Sequence, residues 1–185
     1  MHPSGAEVSC DLPASRHLKN KGGSDGAGLC VFASLDMASD WHNEPAVRGI
    51  FEWMTKYPGG GYPTKVAEMI RKISTEKGMP EPKYIQLEGN DIEVVARAVN
   101  HGHMACVTYG ISPTGRYNGQ KIAHMVNCVA ARAGPGKLWA ILDNNYPGTI
   151  EWMTEEQFKR SYTIAGGGWA VIFLREGPPP PPKSK

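Results

Sequence analysis

Apolar residues recur at three- and four-residue intervals through much of the first hundred positions, then give way to short apolar or alternating runs. The first predicted helix runs from Cys30 to about His42. Leu35, Ala38 and Trp41 or His42 follow one another at helical spacing there, with Asp36 and Asp40 on another side. A second helix is predicted over residues 43–57, where Asn43 can cap, Pro45 suits the first turn and Tyr57-Pro58-Gly59 stops it. The third, over 63–78, carries Val66, Met69, Ile70 and Ile73 on one stripe and ends at Gly78. Residues 82–89 then read as a short strand. Asn90 or Asp91 caps a helix to about Asn100, Gly102 breaks it, and Met104 to Tyr109 is a buried strand. Residues 111–120 form a loop. Residues 121–131 and 138–145 are two strands of a hairpin joined by "RAGPGK". Thr154 caps a short helix, and "GWAVIFL" is the last strand. Helices lead and a mostly antiparallel sheet follows, which predicts an α+β fold.

Composition narrows the picture without redirecting it. The 185 residues suit one domain, and the 41% hydrophobic and 21% charged content is ordinary for a globular chain. The expected division is an irregular N-terminal arm over 1–14, a domain over 15–176 and a solvated, proline-rich tail over 177–185. A net charge of +2 gives no electrostatic reason to expect nucleic acid or a membrane surface as partner. No apolar run approaches the ~18 residues that span a bilayer. The first residues lack the basic start and apolar stretch of a secretory signal, so a cytoplasmic protein is expected. Cys10, Cys30, Cys106 and Cys128 are accordingly expected as reduced thiols.

One of these thiols stands apart. In "GGSDGAGLCVFASLDMASDW", residues 22–41, a glycine-rich approach leads to Cys30 at the start of a helix. Thiols react as thiolates, and the unpaired amides of a helix N-terminus favour that form. Gly26 and Gly28 would let a substrate carbonyl reach the sulfur; the competing reading is a small buried core residue. A nucleophilic thiol needs a base and the base an orienting group. His124 is the candidate base, on a strand where Ile122, His124, Val126, Cys128 and Ala130 share a face. The returning strand delivers Asp143, Asn144 and Asn145 near the imidazole, and spacing alone does not choose among them. His101, His103 and Cys106 invite a zinc reading, but alternate residues of a strand start would have to converge and no second pair has ligand spacing. No metal or other cofactor is expected. His2, His17 and His42 read as surface or turn residues.

The blocks "GLCVFASLDMASDW", "HGHMACVTYG", "IAHMVNCVAA" and "WAILDNNYPGTIEWMTEEQFKRSY", in that order, resemble papain-like cysteine peptidases. The resemblance spans about residues 15–174 and is closest to the compact bacterial branch that processes double-glycine leader peptides. It implies an N-terminal helical part packed on an antiparallel sheet, Cys30 as nucleophile, His124 as base and then acid, and Asp143 as orienting carboxylate, with Asn144 as the alternative. The expected partner is a peptide or protein substrate. One departure matters: the family's oxyanion glutamine, six residues before the cysteine, is Ser24 here, followed by Asp25. Ser24, Asn20 through a longer loop, or a backbone N–H would have to replace it, or the protein would be a slow or inactive binding module. The same three residue types also serve acyltransferases and transglutaminases, but no acyl-acceptor signal is evident.

Overall fold

The computed structural model describes residues 2–22, 28–57 and 59–179. Among the described residues the α-helices are α1 (Cys30–Trp41), α2 (Ile50–Trp53), α3 (Pro63–Glu76), α4 (Glu93–Asn100) and α5 (Glu155–Thr163). The strands among them are β1 (Tyr84–Gly89), β2 (Ala105–Tyr109), β3 (His124–Ala133), β4 (Leu138–Leu142), β5 (Glu151–Met153) and β6 (Gly168–Phe173). They form one antiparallel sheet in the order β1-β6-β2-β3-β4-β5. The fold is α+β.

Two apolar layers sandwich the sheet. Met125, Val129, Leu142, Val171 and Phe173 project to one face, where Phe32, Leu35, Ile50, Val66, Ile70 and Ile73 of the first three helices cover them. Val107, Val126, Cys128, Trp139, Ile141 and Ile172 project to the other, under Val95 and Val99 of α4 and Phe158 and Tyr162 of α5. The period of two in β2, β4 and β6 sorts the side chains between these layers.

Local chemistry accounts for the helix ends. Pro63 opens α3 at its first position. Thr154 and Gln157 form a reciprocal capping box on α5. The predicted helix over 43–57 is a correction: only Ile50–Trp53 is α-helical, with a 3-10 turn over Met54–Lys56. Gly49 takes φ +85°, which turns the chain out of the helical path. Asp36 then accepts from the amides of Gly49 (2.9 Å) and Phe51 (3.1 Å), so α1 caps the start of α2. The three-residue β5 was not predicted; it is too short for a period to declare itself.

The first residues are irregular yet anchored. The amides of Ser9 and Cys10 donate to Val129 O, and Cys10 and Leu12 are buried in the core with α1. His42, expected as a surface or turn residue, lies in the turn that follows α1 but is buried there. Its Nε2 accepts from the Met104 amide at 3.1 Å, tying the end of α1 to the start of β2. Burial, together with the neighbouring His103, pushes its imidazole down to about 4. No helix among the described residues is long and apolar enough to cross a membrane.

Candidate active site

The hairpin β3–β4 brings His124 and Asp143 together by alternation. Val126 and Ile141 face the α4–α5 layer, so His124, two residues before the first, and Asp143, two after the second, turn the same way. His124 Nε2 lies 2.7 Å from Asp143 Oδ1, with both side chains fully enclosed. Ala130, expected on the His124 face, is instead on the α1 side. A bulge between Cys128 and Ala130 puts Val129 and Ala130 on one face and shifts the register. It lies beyond His124 and leaves its pairing with Tyr109 of β2 intact.

Asn144 follows Asp143 and turns the opposite way, toward α1. Its Nδ2 lies 3.1 Å from Cys30 O, 3.0 Å from Ser34 Oγ and 2.9 Å from Met125 O. It therefore does not orient the imidazole; it ties the end of β4 to the first turn of the helix bearing Cys30. Asn145 also approaches the ring nitrogen that Asp143 meets, its Nδ2 lying 3.4 Å from His124 Nε2.

Cys30 opens α1 with no side-chain cap and no acidic residue in the first turn, leaving the positive end of the helix uncompensated. Nine of the helix's twelve residues are buried, so packing on both flanks holds this end in place. Cys30 is 3% and His124 5% exposed. Burial alone would push the imidazole down, but the Asp143 hydrogen bond and the Cys30 sulfur outweigh it and raise it to about 9. Among the described residues Nδ1, the ring's other nitrogen, is buried without a hydrogen-bond partner.

Asp143 is held from several sides. Burial would raise its carboxyl, but His124, the Tyr117 hydroxyl at 2.6 Å and the Asn145 amide at 2.9 Å keep it below the usual range. Tyr117 was not singled out from the sequence. It sits in a 3-10 turn over Arg116–Gly119 with left-handed backbone (φ +58°), within a segment read only as a loop. Glycines on either side of "RYN" were the one local hint of an unusual turn.

Asn20 lies beside the start of α1. Its amide donates to Asn144 O at 2.8 Å, and Leu29 donates to Lys21 O at 3.0 Å, so the chain on either side of residues 22–28 runs antiparallel. The Asn20 carboxamide is buried, and among the described residues neither its oxygen nor its nitrogen has a partner. Ser24, Asp25 and Gly26 lie outside the described residues, as does the tail beyond Pro179.

Burial pushes Cys10 up to about 12 and also raises Cys106 and Cys128. His101 Nδ1 and His103 Nδ1 bond the carbonyls of Arg97 and Phe173. Among the described residues no group of three His, Cys, Asp or Glu side chains converges as a metal site. Two surface depressions, of about 600 and 330 Å³, are lined by residues such as Asn90, Glu93 and Glu156, and Ile85, Val94 and Leu174. Neither contains Cys30, His124 or Asp143, and a buried pair of opposed titrating groups is the stronger mark of chemistry.

No family model and no curated protein sequence matches the chain. Among solved structures, the chain is similar to that of a protein from Bacillus anthracis described as a C39-like peptidase. The TM-score is 0.58 at 13% identity, covering 91% of this chain and 98% of that one. The two share a fold, a helical part against an antiparallel sheet.

Proposed function

We propose that this protein is a thiol hydrolase, and specifically a peptidase that cleaves amide bonds through an acyl-enzyme on Cys30. The observation that carries it is the enclosed His124–Asp143 pair at 2.7 Å, whose imidazole is raised in part by the Cys30 sulfur. The shared fold with a C39-like peptidase supports this reading, as does the block order of the sequence. That order favours the compact bacterial branch, with a peptide or protein as substrate.

The steps follow from the groups present. The Cys30 thiolate attacks the amide carbon, forming an S–C bond and an oxyanion. The backbone N–H of Cys30, at the positive end of α1, faces that charge. His124, as imidazolium, protonates the leaving nitrogen from Nδ1, and the C–N bond breaks. Water then attacks the thioester while His124 takes its proton, and the acid leaves as the thiolate–imidazolium pair reforms. Asp143 holds Nε2 throughout and keeps Nδ1 aimed at the sulfur.

Asn20 supplies the second oxyanion donor in this scheme, in place of the absent glutamine. A buried carboxamide with no partner costs about 1–3 kcal/mol, so its retention beside a nucleophile calls for a transient one. Asn20→Ala is expected to lower turnover about 10²–10³-fold while leaving Cys30 alkylation unchanged. Equal loss in both assays would instead mean damage to the thiol's surroundings.

The hydrolase reading is tested by iodoacetamide at neutral pH with mass mapping. One adduct is expected, on Cys30, formed faster than on a free thiol and slowed in His124→Ala. Adducts spread over several cysteines, or a rate no greater than that of a free thiol, would remove the ion pair. A second reading, a binding module without turnover, is favoured by Ser24 standing where the family's glutamine is expected. A Cys30→Ala protein that retained its full cellular role would establish it.

A further inference from the structure

A second buried carboxyl group, Glu151, lies beyond the His124–Asp143 pair, and the Arg116 guanidinium lies between it and Asp143. Glu151 of β5 is buried and accepts from Tyr109 Oη at 2.6 Å, from Ser112 Oγ at 2.6 Å and from the Thr114 hydroxyl. Arg116 reaches both carboxylates: its Nη1 is 3.9 Å from Asp143 Oδ2 and its Nε 3.9 Å from Glu151 Oε2. The guanidinium is mostly enclosed and stacks over Tyr146, 4.3 Å from the ring centroid, and Nη2 donates to Thr149 Oγ1 at 3.2 Å. Nη1 has no hydrogen-bond partner of its own. The next residue, Tyr117, donates its hydroxyl to Asp143 Oδ2 and packs edge-on against the His124 ring.

Tyr117 is not placed there by backbone preference. Tyr117 and Asn118 both hold positive φ, at +58° and +55°, a region costly for residues with side chains. Ser112 fixes the start of this turn by accepting from the amides of Thr114 and Arg116, and Glu151 in turn accepts from the Ser112 hydroxyl. The chain is thus a linked set: Glu151 anchors residues 112–116, the strained turn presents Arg116 and Tyr117, and both meet Oδ2 of Asp143. That oxygen is the one His124 does not use.

We infer that Arg116 and Tyr117 are positioning residues that hold Asp143 ionised and aligned on His124, with Arg116 serving as counter-charge to Asp143 and Glu151 together. The inference rests on the hydrolase reading and adds to it the device that sustains the orienting carboxylate. Loss of either residue favours the neutral acid at Asp143, because an ionic hydrogen bond or a cation about 4 Å away stabilises the charged form. The other titratable groups facing Asp143 are His124 from β3 and Tyr109 from β2, with Cys30 of α1 bearing on His124, and the substitutions leave all three in place.

The test is the pH profile of Cys30 alkylation by iodoacetamide in the full chain, with circular dichroism at each pH. Arg116→Gln and Tyr117→Phe should each move the acid limb up by about one pH unit, and Arg116→Lys should return it toward the parent. A reduced plateau with an unmoved acid limb in both Arg116→Gln and Tyr117→Phe would overturn the inference while leaving the catalytic pair standing. Should Arg116→Gln fail to fold, Tyr117→Phe decides alone. A parent protein whose Cys30 reacts like a free thiol, and is indifferent to His124→Ala, would overturn the hydrolase reading and this inference with it.

Discussion

Replacing His124 by alanine is expected to lower peptide turnover about 10²–10⁴-fold, the range for a lost general acid–base group. The physical cause is enclosure. With its side chain out of solvent, the imidazole would favour its neutral form; the Asp143 hydrogen bond and the Cys30 sulfur reverse this and raise it to about 9. The folded state therefore holds the imidazolium more tightly than the unfolded chain does. The associated stability is fully present below the ordinary histidine value of about 6.5 and is lost as pH rises through about 9. Hydrolysis needs the imidazolium to protonate the leaving amine, so turnover should fall over the upper part of the same window. Alkylation needs only the thiolate and should not fall with it. Following both rates from about pH 6 to about pH 10 separates the two roles. Turnover that stays level across that range, or survives in His124→Ala, would remove His124 as the acid.

Asp143→Ala should be as damaging, and for a second reason. The carboxylate is fully enclosed and has three partners in His124, Tyr117 and the Asn145 amide. Its removal leaves a buried imidazole without its carboxylate partner, a change that costs roughly 3–5 kcal/mol when the histidine stays protonated. Turnover should drop about 10⁴-fold. Asp143 is held below its ordinary value, so its stabilising effect is present above about pH 4 and fades as pH falls through its folded value. The stability gap between parent and variant should accordingly narrow in acid. Asn144→Ala is the informative neighbour. It removes the tie from β4 to Cys30 O and Ser34 Oγ, and should lower the melting temperature without changing the shape of the pH–rate profile. A changed profile in Asn144→Ala and an unchanged one in Asp143→Ala would exchange the two assignments.

The elements that positioned the site were legible wherever a pattern was long enough to repeat. The stripe on α3, the alternation of β6 and the capping residues of α5 all have local causes, and the structure follows them. The short β5 and the break at Gly49 escaped, the first for want of length. The second depended on Asp36, a carboxylate thirteen residues away that supplies the cap. His42 escaped because nothing near it in sequence announces that β2 will close over it.

By itself, then, the sequence determined the order of helices and strands, the α+β class and the short roster of groups able to do thiol chemistry. These rest on periodicity, caps and residue type, all of which act over a few positions. Only the tertiary structure put Asp143 against His124 and turned Asn144 toward α1, because the strand register sends neighbours to opposite faces. Only it brought Asn20, Arg116, Tyr117 and Glu151 around the pair, since each reaches the site across a loop or from another strand. Contacts of that kind are set by packing between distant segments, and packing leaves no period in the chain to read.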